Sequence, residues 1–202
     1  MGITIKKGFG WLQFLALPVL SAATIMVGVY LNAQLAYMLE DKIMFNVPSD
    51  EVGQVASDLT IFSLPFTMVS TFFISYIYEL VGRKITIFVS FISTAMLFMY
   101  LPYTAPNLKH LIAVRCAIGV TMSAPLANPL VPDYVKRSSR GRAIALNGIG
   151  FVIGEVFSMG VLFNLTKSMN YKDAFLIAAG LILFFALFLL IAVKDPDMNT
   201  IR

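Results

Sequence analysis

Two ionisable side chains, Arg115 and Glu155, stand inside long apolar stretches of this sequence. A charge within a membrane helix costs roughly 2.5–3.5 kcal/mol on insertion scales, so such residues face the interior of a bundle and find a partner. At about 1.5 Å per residue, Arg115 lies about 10 Å below one membrane face and Glu155 about 18 Å above the other. Their depths in a ~30 Å core therefore agree within one turn. We expect the two side chains to face each other, paired directly or through water.

This pair has two interpretations. Intramembrane ionisable residues commonly mark the path of a proton or substrate, which makes Arg115 and Glu155 a possible relay. A static ion pair would instead fix the register of two helices. We favour the static pair, because the apolar stretches contain no second acidic residue and no evident substrate-binding set.

The first apolar stretch carries five polar side chains, which could line a cavity: Ser21, Thr24, Tyr30, Asn32 and Gln34. Such side chains also form hydrogen bonds across helix interfaces, worth about 0.6 kcal/mol each in membranes. We favour this packing role over cavity lining.

The composition identifies the solvent of the fold as lipid. Of the 202 residues 58% are hydrophobic and 13% are charged, whereas a soluble domain carries roughly 25% charged residues. The sequence shows no Gly-rich phosphate loop after a strand, no His/Cys spacing typical of metal sites and no Ser/His/Asp set. We therefore predict an integral membrane protein that is not an enzyme and has no cofactor and no metal site.

Apolar stretches of spanning length predict an all-α polytopic protein with one membrane domain over 1–202. Ser49 is expected to cap the start of the second helix, because two carboxylates follow it. The six predicted spans are 11–33, 55–78, 85–101, 108–131, 143–165 and 174–193.

The cations between these spans predict the orientation of the chain. Four lie on one side (Lys42, Lys109, Lys167 and Lys172) and ten on the other (Lys6, Lys7, Arg83, Lys84, Lys136, Arg137, Arg140, Arg142, Lys194 and Arg202). The positive-inside rule places the ten, and with them both termini, on the cytoplasmic or organelle-matrix face. The cations thus indicate membrane orientation, not nucleic-acid binding, and an organelle inner membrane is one possible location.

Short motifs flank the fourth span and follow the second. Arg115 and Gly119 form R-x-x-x-G, Asp133 closes the same span, and the next begins with Arg140, Gly141 and Arg142; between the second and third spans lie Gly82, Arg83 and Lys84. This pattern resembles the major facilitator superfamily. The resemblance implies a six-helix bundle of two inverted three-helix repeats, which is half of the family's usual twelve helices.

The turn after the second span departs from the family motif, because Ser75, Glu79 and Leu80 replace a glycine, an aspartate and an arginine. These departures weaken the gating role that the motif has in the family. We therefore favour a non-transporting accessory subunit of a larger membrane assembly. The alternative is a solute carrier, working as a dimer of two copies or as part of a twelve-helix facilitator. The expected partners are the lipid bilayer and either other membrane subunits or a second copy.

Overall fold

Helices make up nearly the whole of the computed structural model, which describes residues 3–6 and 8–195. Lys7 and Arg202, two of the ten cations counted above, lie outside the described residues. The helices are α1 (Trp11–Glu40), α2 (Val52–Val81), α3 (Arg83–Tyr100), α4 (Leu108–Ala127), α5 (Leu130–Tyr134), α6 (Arg140–Val156), α7 (Asn164–Thr166) and α8 (Tyr171–Ala192).

Six helical segments of the described chain are long and apolar enough to cross a membrane, as predicted. Four of them are α1, α2, α8 and α3 with the 3₁₀ turn that follows it. The fourth span, Leu108–Tyr134, contains α4 and α5. The fifth span, Arg137–Thr166, is composite: a 3₁₀ turn leads into α6, and a π-helical segment, Phe157–Phe163, leads into α7. The fold is therefore the predicted all-α membrane bundle.

The first and second spans meet differently from the sequence prediction. α1 continues to Glu40 instead of ending near residue 33, and α2 starts at Val52. Ser49 is not the N-cap of α2; Glu51 precedes the helix and makes no side-chain cap. The Ser49 hydroxyl instead donates to Glu40 Oε1 at 2.7 Å, because the loop folds back on the end of α1.

Local signals explain where the fourth span starts and bends. The Asn107 side chain accepts a hydrogen bond from the Lys109 amide at 3.0 Å and so caps α4. α4 ends at Asn128, which adopts a left-handed backbone with φ of 39°, a conformation that asparagine tolerates better than most residues. Pro129 follows, and it cannot supply a backbone donor to continue the helix. The short helix α5 then carries the chain out of the span.

The helices pair in a pattern that has an internal symmetry. α1 packs mainly on the fifth span, α2 on α4, and α3 on α8. Exchanging the first three spans with the last three converts the first pairing into the second and leaves the third unchanged. The α3–α4 and α1–α8 contacts exchange in the same way. Because successive spans cross in opposite directions, this pattern is the one that two inverted three-helix repeats produce.

The closest pairing, between α1 and the fifth span, keeps one register along most of its length. A Cβ atom added at Gly150 would lie 2.9 Å from Pro18 Cα, and one at Gly154 would lie 2.9 Å from Ala22 Cα. Farther along, Ser158 Oγ donates to the Met26 carbonyl, and Gln34 donates to Thr166. Each contact is four residues beyond the last or a multiple of four, so small residues repeat along one stripe and let the two backbones approach closely.

Backbone hydrogen bonds tie the end of the bundle that carries the basic turns, which we call the basic end. The Lys136 amide donates to the Thr4 carbonyl at 3.1 Å, and the Lys6 amide donates to the Tyr134 carbonyl at 2.9 Å. Lys194 Nζ donates to the Gly8 carbonyl at 3.2 Å. The first and last described segments therefore lie on the same side of the bundle, as an even number of crossings requires.

Candidate functional site

Arg115 lies on α4 and reaches across to α1. It is seven residues beyond Leu108, or about 10 Å along the helix at 1.5 Å per residue. Its Nη2 donates to Asn32 Oδ1 at 2.9 Å. Its Nε is buried and makes no hydrogen bond within the described chain. The guanidinium is therefore held by one neutral amide and keeps an unused donor.

Glu155 lies elsewhere. Its side chain is exposed on α6 and makes no hydrogen bond or ion pair with a described residue. The preceding residue, Gly154, packs on Ala22, so a helical step of about 100° turns Glu155 away from that interface. α4 packs on α2 and α3, whereas α6 packs on α1. A direct ion pair between Arg115 and Glu155 is thus not formed, and a water-mediated link stays a prediction.

Two of the predicted α1 residues belong to a buried polar network at the end of the bundle opposite the basic end. The Tyr30 hydroxyl lies 3.0 Å from Thr166 Oγ1 and donates to the Ala174 carbonyl at 3.1 Å. Gln34 Nε2 donates to Thr166 Oγ1 at 2.9 Å. This network joins α1, α7 and α8, so Tyr30 and Gln34 lie in a packed interface.

The other three polar residues of α1 divide between the interior and the surface. Thr24 is buried, and its hydroxyl donates to the Leu20 carbonyl at 2.7 Å. Ser21 is buried and accepts a hydrogen bond from Asn128 Nδ2 at 3.1 Å. Asn32 alone of the five is exposed, and it is the residue that Arg115 contacts.

The motif residues after α2 form a cluster at the basic end. Arg83 Nε donates to Asp133 Oδ2 at 2.9 Å, and Arg83 Nη1 donates to the Tyr78 carbonyl at 3.0 Å. The side chains of Arg83 and Asp133 are 20% and 16% exposed, so solvent screens this ion pair only in part. The facilitator-like motif of one repeat is therefore bound to that of the other.

An aspartate beyond α8 completes this cluster. Asp195 Oδ1 accepts hydrogen bonds from the backbone amides of Arg83, at 2.5 Å, and Lys84, at 3.1 Å. Gly82 permits this contact, because its φ is +94° and an added Cβ would lie 2.8 Å from Asp195 Oδ2. A carboxylate at a helix N-terminus both satisfies free amides and interacts favourably with the helix dipole. Asp195 thereby caps α3.

Sequence reasoning missed Asp195, along with two tyrosines of the same cluster. Tyr78 donates to the Ala124 carbonyl at 2.6 Å, and the Tyr134 hydroxyl lies 2.9 Å from both the carbonyl and the amide of Lys194. Tyrosines near the ends of apolar stretches were the available signal, since the ring stays in the apolar layer while the hydroxyl finds a partner.

The remaining motif residues lie on helix surfaces and in one seam. Gly119 faces Ser63 and Thr67 on α2, where an added Cβ would meet the Thr67 hydroxyl, so a small residue is needed there. Arg140 Nη2 donates to the Pro132 carbonyl at 3.3 Å. Gly141 and Arg142 are exposed at the start of α6, and Lys84 is half-buried at the start of α3.

The described residues contain no group of three or more His, Cys, Asp or Glu side chains placed to hold a metal ion. A comparison with the curated proteins gives no match. A comparison with protein families matches one family model, described as Major Facilitator Superfamily, over residues 10–202. The match covers nearly the whole chain, together with the six spans and their repeat symmetry. The chain belongs to the major facilitator superfamily.

Proposed function

We propose that this chain acts in solute transport and that Arg115 and Asn32 contribute to the solute-binding site. One observation carries the proposal: a cation within the fourth span is bonded to a neutral, exposed amide on α1, not to a carboxylate. α1 and α4 occupy equivalent positions in the two repeats. Facilitator-type transporters bind substrate near the midplane between repeats and expose the site alternately to each side.

The surface of α1 beside this contact is open. Gly28 is one turn before Asn32 on the same face, and a Cβ atom added there would meet nothing within 4 Å. A polar solute can therefore approach the Arg115–Asn32 contact without displacing a packed side chain of the described bundle. Rocking would require a second six-helix unit against this face, from a second copy or another polypeptide segment.

The accessory-subunit hypothesis loses its main argument from the sequence. It rested on the departures Ser75, Glu79 and Leu80, which were expected to weaken the facilitator turn motif. Arg83 nevertheless bonds to Asp133 across the two repeats. We therefore place transport ahead of a purely structural role. We also propose, from the distribution of Lys and Arg, that the basic end faces the cytoplasm or an organelle matrix.

Alternating access can be tested without knowing the solute. Gly28→Cys is introduced into a Cys116→Ala background, which removes the native cysteine, and sealed membrane vesicles of each orientation are treated with a membrane-impermeant maleimide. A transporter that alternates exposes Cys at position 28 to both sides, so both preparations should be labelled. Ser138→Cys, exposed at the basic end, is the control and should be labelled from one side only. Labelling at position 28 from one side or from neither would contradict the proposal.

A further inference from the structure

We infer that the solute bound at Arg115 is a small monocarboxylate anion, with an apolar body and one charged end. This inference rests on the proposed transport function and adds the chemical class of the solute. It is carried by the charge of Arg115, by its unused hydrogen-bond donors and by the surface around it.

The charge of Arg115 lacks a counter-ion in the described structure. No carboxylate of the described residues lies within 4 Å of its guanidinium. Asn32 satisfies one donor but carries no charge. An isolated cation in a membrane span is unfavourable, and a bound anion would neutralise it. Because one cation is present, a monovalent anion balances the charge, whereas a divalent anion would leave a net negative charge in an apolar region.

The donor geometry suits a carboxylate. Arg115 Nε is buried without a partner, and Nη2 already bonds to Asn32. Guanidinium groups bind carboxylates through two parallel N–H···O bonds. The Nδ2 amide of Asn32 makes no hydrogen bond with a described residue and lies on the exposed face, so it supplies a further donor. Arg115 and Asn32 thus present several donors to one anion.

The surface around these donors is apolar. On α1 the open face next to Asn32 comprises Ile25, Gly28, Val29 and Ala36, which are half-buried and carry no polar side chain. Such a surface favours an organic anion over an inorganic one, because the apolar part of the solute leaves water while its carboxylate meets the cation. The space above Gly28 accommodates that part.

Binding is measured on the purified protein, with any subunits that copurify, as the shift in thermal unfolding caused by benzoate at constant ionic strength. The reaction of the native Cys116 with a thiol-reactive dye reports unfolding. Benzamide, which has the same shape without the charge, is the matched control. Benzoate should raise the melting temperature saturably, and benzamide should not. Arg115→Gln should raise the dissociation constant for benzoate at least about tenfold, as expected for losing a charged hydrogen bond.

Further variants separate binding from folding. Arg137→Gln removes an exposed cation at the basic end and should leave benzoate binding unchanged. Arg115→Lys keeps the charge without the planar fork and should give an intermediate dissociation constant. If Arg115→Gln does not fold, Asn32→Ala replaces it, since Asn32 is exposed and its loss leaves the core intact. Asn32→Ala should still weaken benzoate binding several-fold.

Three results would overturn the inference: benzamide stabilises as well as benzoate, the Arg115 and Asn32 variants bind benzoate as tightly as the parent protein, or neither compound shifts unfolding. The two proposals fail separately. Labelling of Gly28→Cys from both sides without benzoate binding would leave a transporter of another solute. Benzoate binding at Arg115 with one-sided labelling would leave an anion site without transport.

Discussion

The close approach of α1 and α6 predicts a large difference between two chemically identical substitutions. Gly154→Ala places a methyl group 2.9 Å from Ala22 Cα and closer still to the Ala22 carbonyl oxygen. Ordinary van der Waals contact begins at 3.4 Å, so the helices must separate by about 0.5 Å, the difference between these two distances. Gly148→Ala on the same helix meets nothing within 4 Å.

The comparison isolates the cost of the contact. Both variants gain the same intrinsic helix propensity, about 1 kcal/mol for replacing glycine by alanine. Only Gly154→Ala suffers overpacking, which typically costs about 1–3 kcal/mol. Gly154→Ala should therefore be about 1–3 kcal/mol less stable than Gly148→Ala. Gly148→Ala itself should be equal to or more stable than the parent protein.

Unfolding free energies are obtained from reversible SDS titration in mixed micelles, with the loss of far-ultraviolet circular dichroism as the signal. Both variants are measured at the same protein concentration and detergent composition, so that any oligomer contributes equally. Equal stability of the two variants would refute the reasoning. It would mean either that Gly154 does not contact Ala22 or that the two helices separate without cost.

Three further substitutions test the basic end and the buried network. Gly82→Ala should lower the free energy of unfolding by about 1–3 kcal/mol, because φ of +94° strains alanine and its methyl group displaces Asp195; an unchanged melting temperature would contradict the contact. In a double-mutant cycle, Arg83→Gln and Asp133→Asn should show a coupling of about 0.5–3 kcal/mol, and simple additivity would argue against the ion pair. Tyr30→Phe should lose about 1 kcal/mol in SDS titration, since a buried hydroxyl with two partners is removed; a stability gain would contradict the network.

The sequence carried enough information for the number of spans and the family. Apolar runs of spanning length and alternating basic turns depend only on residue type, so they could be read without knowing any contact. The close packing at Gly119 and Gly154 was also legible, because small residues at four-residue spacing have one main use in membranes.

Pairing between distant side chains could not be read in the same way. Similar depth in the membrane suggested that Arg115 and Glu155 meet, but depth does not fix the direction in which a side chain points around its helix. Because Gly154 faces α1, Glu155 points elsewhere, and Arg115 turns to Asn32. The capping of α3 by Asp195 was hidden for a related reason, since the two partners are more than one hundred residues apart.

That last contact has a consequence for biosynthesis. The first amides of α3 belong to Arg83 and Lys84, and their acceptor is Asp195, which the ribosome adds 112 residues after Arg83. At about 5–20 residues per second, translation needs roughly 6–22 s to cover that distance. During this interval the third helix has emerged but its start is bare, and water or lipid headgroups must serve it. The closure of this end is therefore among the last events in the maturation of the protein.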